Sequence, residues 1–414
     1  MHKIHIIGGG TVYHVRPHLA LSAPAYGTTA RKIAALFSIN HHDQNREVEL
    51  YLTKMASGGV EKLETNADID ALLKKLIDDP ETKIIVMSAA LCDFEGGIAN
   101  GDGVTLSGKD QPRLNSRDGA RTLMLTPADK LIGQIRKTRK DIYLIGFKTT
   151  AGATQDEQYL AGLKLLKTTS CNLVLANDTQ TRVNMIVAPE LARYCVTDDR
   201  EMVLHELVKM ADARSRLTFT PTTLVEGGLI PWDSERVPSS LRKVVDWCAD
   251  NGAYKPFSNV TVGHFAFREP DGTLVSSRRR QNYNNRDNRN MVAVEFDGDK
   301  MIAHGAKPSA GTTSQHAVLS HFPEFDCIVH FHCPARPGSM VIVRPQQLLE
   351  CGSIQCGENT WKGMMRFGNL AAVMLEQHGP NIIFNRTCDP EEVIKFIGEN
   401  FDFSVRTDGI SEGS

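Results

Sequence analysis

In the first half of the chain, short apolar runs alternate with segments whose apolar residues recur every three to four positions. Residues 3–7 form an apolar run that ends at Gly8-Gly9-Gly10-Thr11, and residues 28–37 follow with helical spacing. Strand patterns recur at 48–52, 83–88, 142–147 and 173–176, separated by helix patterns at 67–76, 127–137 and 156–168. Runs this rich in isoleucine, leucine and valine are buried on both faces, so the pattern predicts a mostly parallel sheet covered by helices on both sides. Residues 184–187 and 194–196 read as a hairpin, and 202–214 as the helix that closes the unit.

After Arg216 the rhythm weakens. Residues 216–231, rich in threonine, glycine and proline, read as a linker. The second half opens with a helix at 238–251 and continues with strands at 263–267, 291–296, 328–331, 341–343, 371–375 and 381–384. Helices are expected at 314–320 and 390–400, which makes this an α+β layout with antiparallel character. A chain of 414 residues exceeds one ordinary domain, and the expected division is 1–215, a linker at 216–231, and 232–414.

Composition narrows the function classes. A net charge of −2 gives no field to favour nucleic acid or an anionic membrane as partner. No apolar run approaches the ~20 residues that span a bilayer, and the apolar stretch near the start is too short for a signal peptide. Nine scattered cysteines, without a Cys-x-x-Cys pair, point to reduced thiols and a cytoplasmic setting.

Two constellations carry chemistry. In the C-terminal half, His330-Phe331-His332 ends the apolar run 327–332. Residues two apart on a strand share a face, so both imidazoles can reach one ion. His378, in Gln377-His378-Gly379, offers a third donor for a tetrahedral metal with one open position. An isolated His-x-His pair is equally compatible with ordinary core or surface histidines. The wider stretch, however, comprises Lys307-Pro308-Ser309, His316, Ile328-Val329-His330-Phe331-His332-Cys333-Pro334 and Glu376-Gln377-His378-Gly379. In order and spacing it resembles the class II aldolase/adducin family over residues 232–400. Ser258-Asn259-Val260-Thr261 resembles the family's phosphate-loop Gly-Asn segment, Asp297-Gly298 its turn, and Cys351-Gly352-Ser353 its Gly-Ser element.

This resemblance implies that His330, His332 and His378 hold zinc or another divalent metal. The metal would polarise a carbonyl and stabilise an enediolate in aldol cleavage, epimerisation or dehydration. Ser258, Asn259 and Ser309 would then meet the phosphate or carboxylate end of a small-molecule substrate. The family's glutamate base is replaced by Thr312, whose hydroxyl cannot act as a base near neutral pH. Its role passes to Glu376 or to metal-bound water, or else the chemistry has changed. Five arginines between Ser276 and Arg289 form either a solvated loop or a phosphate clamp.

In the N-terminal half, Gly8-Gly9-Gly10-Thr11 lets backbone N–H groups approach a phosphate, though it is equally a tight structural turn. It stands in order with Ser88-Ala89-Ala90-Leu91-Cys92-Asp93-Phe94, Leu125-Thr126-Pro127, Gly146-Phe147-Lys148-Thr149-Thr150, Ala176-Asn177-Asp178 and Val183-Asn184. Together these resemble phosphopantothenoylcysteine synthetase, the phosphopantothenate–cysteine ligase of coenzyme A biosynthesis, over residues 1–215. The resemblance implies a doubly wound, Rossmann-like sheet that binds CTP or ATP with Mg²⁺ and activates a carboxylate. The residues it points to are Gly9, Gly10, Thr11, Asp93, Phe147, Ala176, Asn177 and Asp178. The ligase family's Asn-x-Ser-Ser-Gly-Lys-Met-Gly stretch is replaced by residues 21–27, and its Lys-Ile-Lys-Lys run survives at best as Lys109 and Arg113-Leu114-Asn115-Ser116.

The two resemblances together imply a fused, bifunctional enzyme, part ligase and part metal-dependent lyase, epimerase or dehydratase. The alternatives are a single-activity enzyme whose other half binds or assembles, and a non-catalytic interaction protein of the adducin kind. Both families form oligomers, so a homo-oligomer acting on small molecules and nucleotides is expected.

Overall fold

The structure, a computed structural model, describes residues 2–39, 46–99, 103 and 105–410. It divides into two compact units, one of Met1–Ala188 and Tyr194–Ser215, the other of Pro189–Arg193 and Arg216–Ser414.

The first unit is α/β. Its sheet runs in the order Ala192–Thr197, Asn184–Ala188, Leu173–Asp178, Tyr143–Thr150, Thr82–Met87, His2–Gly8, Arg46–Leu52. Pairing is parallel from Arg46–Leu52 through Leu173–Asp178 and turns antiparallel at Asn184–Ala188. Isoleucine and valine dominate the central strands, and Ile6, Ile7, Ile84, Ile85 and Val86 are buried. Helix Thr28–Ile39 packs with Arg200–Arg214, while Asn66–Asp78, Ile132–Thr138 and Gln155–Thr169 pack in series. These are the two helical layers of a doubly wound sheet. The connections from His2–Gly8 and from Thr82–Met87 lead in opposite directions, so the carboxyl ends of these neighbouring strands form the topological switch point where such sheets bind ligands.

One expected helix is shorter than its pattern. Residues 127–137 become the helix Ile132–Thr138, and Leu123–Pro127 pairs instead as a strand with Phe94–Ala99. Pairing with Phe94–Ala99 takes residues 123–127 into a strand, so the helix starts later.

The second unit is α+β and built on a larger sheet. Its order is Thr222–Val225, Lys300–His304, Asn290–Asp297, Leu274–Ser277, His264–Arg268, Cys327–His330, Gly379–Phe384, Leu370–Leu375, Val343–Arg344. Only the outermost pair at each end is parallel; the rest of this path is antiparallel. The stretch 216–231, expected to be a linker, lies within this sheet. Thr222–Val225 pairs with Lys300–His304, and Ile230–Pro231 with Asn290–Asp297. Helices Ser239–Asp250 and Pro390–Asn400 cover a core containing Leu241, Val245, Phe265, Val329, Phe331, Ile382 and Phe396.

Candidate metal centre

His330 ends the central strand Cys327–His330, with His264 opposite it on one neighbour and Asn381 on the other. Phe331 is buried in the main core, and the alternation of extended chain turns His330 and His332 to the other face. His378 comes from the turn between Leu370–Leu375 and Gly379–Phe384, where Gln377 adopts φ 57°. The turn approaches the histidine strand closely because residue 379 is glycine. A Cβ there would lie 2.0 Å from the carbonyl oxygen of Phe331.

All three imidazoles are buried, and one ring nitrogen from each lies within 4.8 Å of the others. Ring centroids are separated by 5.0 Å for His330–His332, 4.6 Å for His330–His378 and 4.8 Å for His332–His378. His330 Nδ1 lies 2.7 Å from the Pro380 carbonyl oxygen. Nδ1 therefore carries the proton and donates, and Nε2 presents its lone pair. Among the described residues, His330 Nε2 and His332 Nδ1 are buried without hydrogen-bond partners. Leaving such an atom unsatisfied costs about 1–3 kcal/mol, and one metal ion would satisfy both. Burial, and after it the neighbouring His378, holds His330 and His332 well below the ordinary histidine pKa. The rings are thus neutral, as metal ligation requires, and the donor set fits a divalent ion of the zinc type.

A buried polar chain backs this cluster. His264 stacks on His330 with centroids 4.5 Å apart. The Gln315 amide donates to His264 Nδ1 at 2.7 Å and accepts from the Ser276 hydroxyl at 2.8 Å. Ser276 lies 2.9 Å from the Thr312 hydroxyl, which donates to the Ser309 carbonyl at 2.8 Å. Gly311 makes room for the ring, since a Cβ there would stand 2.2 Å from His264 Nε2. Thr312 is fully buried and serves as a link in this chain. Glu376 is exposed and sits two residues before His378 in the same turn.

Ser258 and Asn259 occupy the exposed turn of a small hairpin, Pro256–Phe257 with Val260–Thr261, where Ser258 has φ 58°. Their side chains make no hydrogen bond among the described residues. Ser309 instead lies at the start of helix Thr312–His321, its hydroxyl accepting from the Gly311 N–H at 3.3 Å. The arginine stretch divides in two. Arg289 is buried against Asp246 with its guanidinium 5.6 Å over the Trp232 ring, and Arg286 pairs with Asp250 at 2.7 Å, so both are structural. Arg278, Arg279 and Arg280 are exposed and make no ion pair among the described residues. Backbone pairing of Arg278 with Pro308, and of the Arg279 N–H with the Lys307 carbonyl, sets them beside Lys307 and Ser309.

In the N-terminal unit most of the expected nucleotide residues are engaged within the fold. A Cβ on Gly9 would meet Thr53 Oγ1 at 2.1 Å, and one on Gly10 the Ala23 carbonyl oxygen at 1.9 Å. The Thr11 hydroxyl donates to Asn66 at 2.7 Å and accepts from the Cys92 N–H at 2.9 Å. Asp178 accepts the N–H groups of Gly152, Ala153, Gln180 and Thr181 at 2.9–3.0 Å and the Thr150 hydroxyl at 2.8 Å. Burial pushes its pKa up, but these donors outweigh it and hold the carboxyl well below the usual range. Asp93 is exposed and pairs with Lys130. Phe147 is half-buried, Ala176 is buried, and the Asn177 amide oxygen accepts from Thr149 at 3.3 Å. A cleft of about 520 Å³ lies nearby, lined by Tyr13, His14, Glu64, Asn66 and Lys109 among others. His14 and Glu64, 3.4 Å apart within it, carried no motif that would single them out in the sequence. His264, Gln315 and the C-terminal turn near Thr407 were missed for the same reason.

No helix among the described residues is long and apolar enough to cross a membrane. No curated protein matches the chain. Among solved structures, the chain is similar to the DNA/pantothenate metabolism flavoprotein from Streptococcus pneumoniae, at 20% identity over 51% of this chain and 99% of that one, with a TM-score of 0.43. The C-terminal domain of the coenzyme A biosynthesis bifunctional protein CoaBC is similar at 16% identity, over 50% of this chain and 92% of that one, with a TM-score of 0.35. L-fuculose 1-phosphate aldolase is similar at 15% identity, over 40% of this chain and 82% of that one, with a TM-score of 0.31. Around the first two histidines of the cluster, residues 242–336 match the model of the Class II Aldolase and Adducin N-terminal domain.

Proposed function

We propose that the protein is an enzyme whose C-terminal unit is a divalent-metal centre, zinc in the first instance, for carbonyl chemistry on a small anionic substrate. The observation that carries this reading is the convergence of three buried imidazoles, with the ring nitrogens of His330 and His332 left unsatisfied. A bound ion supplies a Lewis acid for a substrate oxygen. The chain's own residues do the remainder. Arg278, Arg279, Arg280 and Lys307 hold the phosphate or carboxylate end, with Ser309 beside them. Glu376, the exposed carboxylate in the His378 turn, takes and returns the proton in cleavage, epimerisation or dehydration. Thr312, with its hydroxyl engaged in the buried chain, transfers no proton.

The N-terminal unit is proposed as a second site, for CTP or ATP at the switch point, activating a carboxylate. Phe147 and Asn177, on the adjacent strands Tyr143–Thr150 and Leu173–Asp178 of the same parallel sheet, favour this placement, and Asp93 is the carboxylate left to meet Mg²⁺. We further propose a cytoplasmic homo-oligomer.

The test begins with metal content. Full-length protein is purified, its bound metals are counted by mass spectrometry, and it is then offered phosphorylated and carboxylated hydroxy-carbonyl compounds with and without chelator. Turnover that a chelator abolishes and Zn²⁺ restores supports the reading. Folded protein that takes up no divalent metal sinks it.

A further inference from the structure

We propose that the turn at residues 406–409 is a positioning device for the metal centre, with Thr407 as its working residue; this inference rests on the metal reading above. The turn is closed by the Gly409 N–H donating to the Arg406 carbonyl at 2.9 Å, and Gly409 has φ 78°. Inside it Arg406 and Asp408 form a buried ion pair, and Asp408 also accepts from the Ile410 N–H at 3.2 Å. Ile410 is buried beyond it and anchors the segment.

Held in this way, Thr407 touches two ligand residues at once. Its N–H donates to the His332 carbonyl at 3.1 Å, and its hydroxyl donates to the His378 carbonyl at 3.1 Å. His332 lies beyond the end of its strand, and His378 lies in a turn, so the sheet ladder fixes neither of them. His330, by contrast, is held within the ladder and by Pro380. One threonine therefore ties together the two histidines that the sheet leaves loose. It sets the spacing of their imidazoles before any ion arrives. Preorganisation of this kind raises affinity and fixes coordination geometry without adding a ligand.

The experiment uses full-length protein stripped with chelator and titrated with Co²⁺, whose visible spectrum reports coordination geometry. Wild type is compared with Thr407→Val, which keeps the shape and loses the hydroxyl, and Thr407→Ser, which keeps the hydroxyl. Thr407→Val is expected to weaken Co²⁺ binding about 10-fold and to change the spectrum, the lower end of the effect of outer-shell partners. Thr407→Ser is expected to restore both to within about threefold of wild type, and it keeps the test decisive should the valine variant fail to fold. Wild-type affinity and spectrum in Thr407→Val overturn the inference, as does an equal loss in both variants. A folded wild type that binds no Co²⁺ overturns the metal reading and this inference together.

Discussion

Asp178 and His330 are both buried polar residues at strand ends, and both were singled out by sequence, yet their surroundings are opposite. The Asp178 carboxylate accepts four backbone N–H groups and a hydroxyl. Its lone pairs are used to fold the loops at 150–154 and 178–181, and little is left for a ligand. His330 gives one nitrogen to the Pro380 carbonyl and leaves the other buried and unsatisfied. A buried polar atom whose capacity is filled supports the fold, and one left unfilled, like His330 Nε2 and His332 Nδ1 in the histidine cluster, points to a ligand. The same contrast separates Arg289, paired and sealed against Trp232, from the exposed arginines at 278–280.

The sharpest way to break this contrast is at His330. Replacing it with alanine removes the ligand with the best-defined tautomer. It should lower Zn²⁺ or Co²⁺ affinity by at least about 100-fold, beyond the effect of an outer-shell partner. Equilibrium titration with a chromophoric competitor measures this directly. Retention of near-normal affinity would mean that the cluster is a core feature rather than a metal site.

How much of this was visible in the sequence depended on how local each signal was. The parallel strands were legible because runs such as Lys83-Ile84-Ile85-Val86-Met87 are apolar on both faces. Thr222–Val225 was not, because its partner Lys300–His304 is remote in sequence and its threonines look like loop. His330 and His332 announced themselves by a two-residue spacing, and His378 by a turn after an apolar run. His264 falls on an expected strand, but only the cross-strand register sets it opposite His330. Thr407 acts through the carbonyls of other residues, and a backbone carbonyl leaves no trace in a sequence. Ser258-Asn259, a family-like dipeptide, lies in an exposed hairpin turn, a placement that the sequence did not specify.

A second prediction sharpens the close approach that assembles the three histidines. Gly379 has φ 146°, and its Cβ would collide with the Phe331 carbonyl. Gly379→Ala should therefore destabilise the protein by about 2–4 kcal/mol through clash and backbone strain. It should weaken metal binding as well, because relief of the clash moves the His378 turn away from the His330 strand. Denaturant unfolding gives the first quantity and Co²⁺ titration the second. A variant with lower stability but an unchanged cobalt spectrum would show that the turn relaxes without moving His378.

The smallest expected effect falls on the other side of the comparison, at Asp178. Asp178→Asn keeps the shape but replaces one acceptor oxygen with an amide donor that faces backbone N–H groups. Loss of these charge-assisted hydrogen bonds should lower the melting temperature by roughly 5 °C. The pH dependence gives a sharper reading. The folded-state pKa of Asp178 is depressed below its unfolded value of about 3.9, so the native state binds fewer protons than the unfolded chain in the acid range. The stabilisation is therefore complete above the unfolded pKa and is lost as pH falls through the folded one. Wild type should lose stability more steeply than Asp178→Asn below about pH 4, as followed by thermal melts. Parallel slopes would mean that the carboxylate is not committed to these loops. It would then join Asp93 among the groups free to hold Mg²⁺, and the contrast with His330 would fail from its own side.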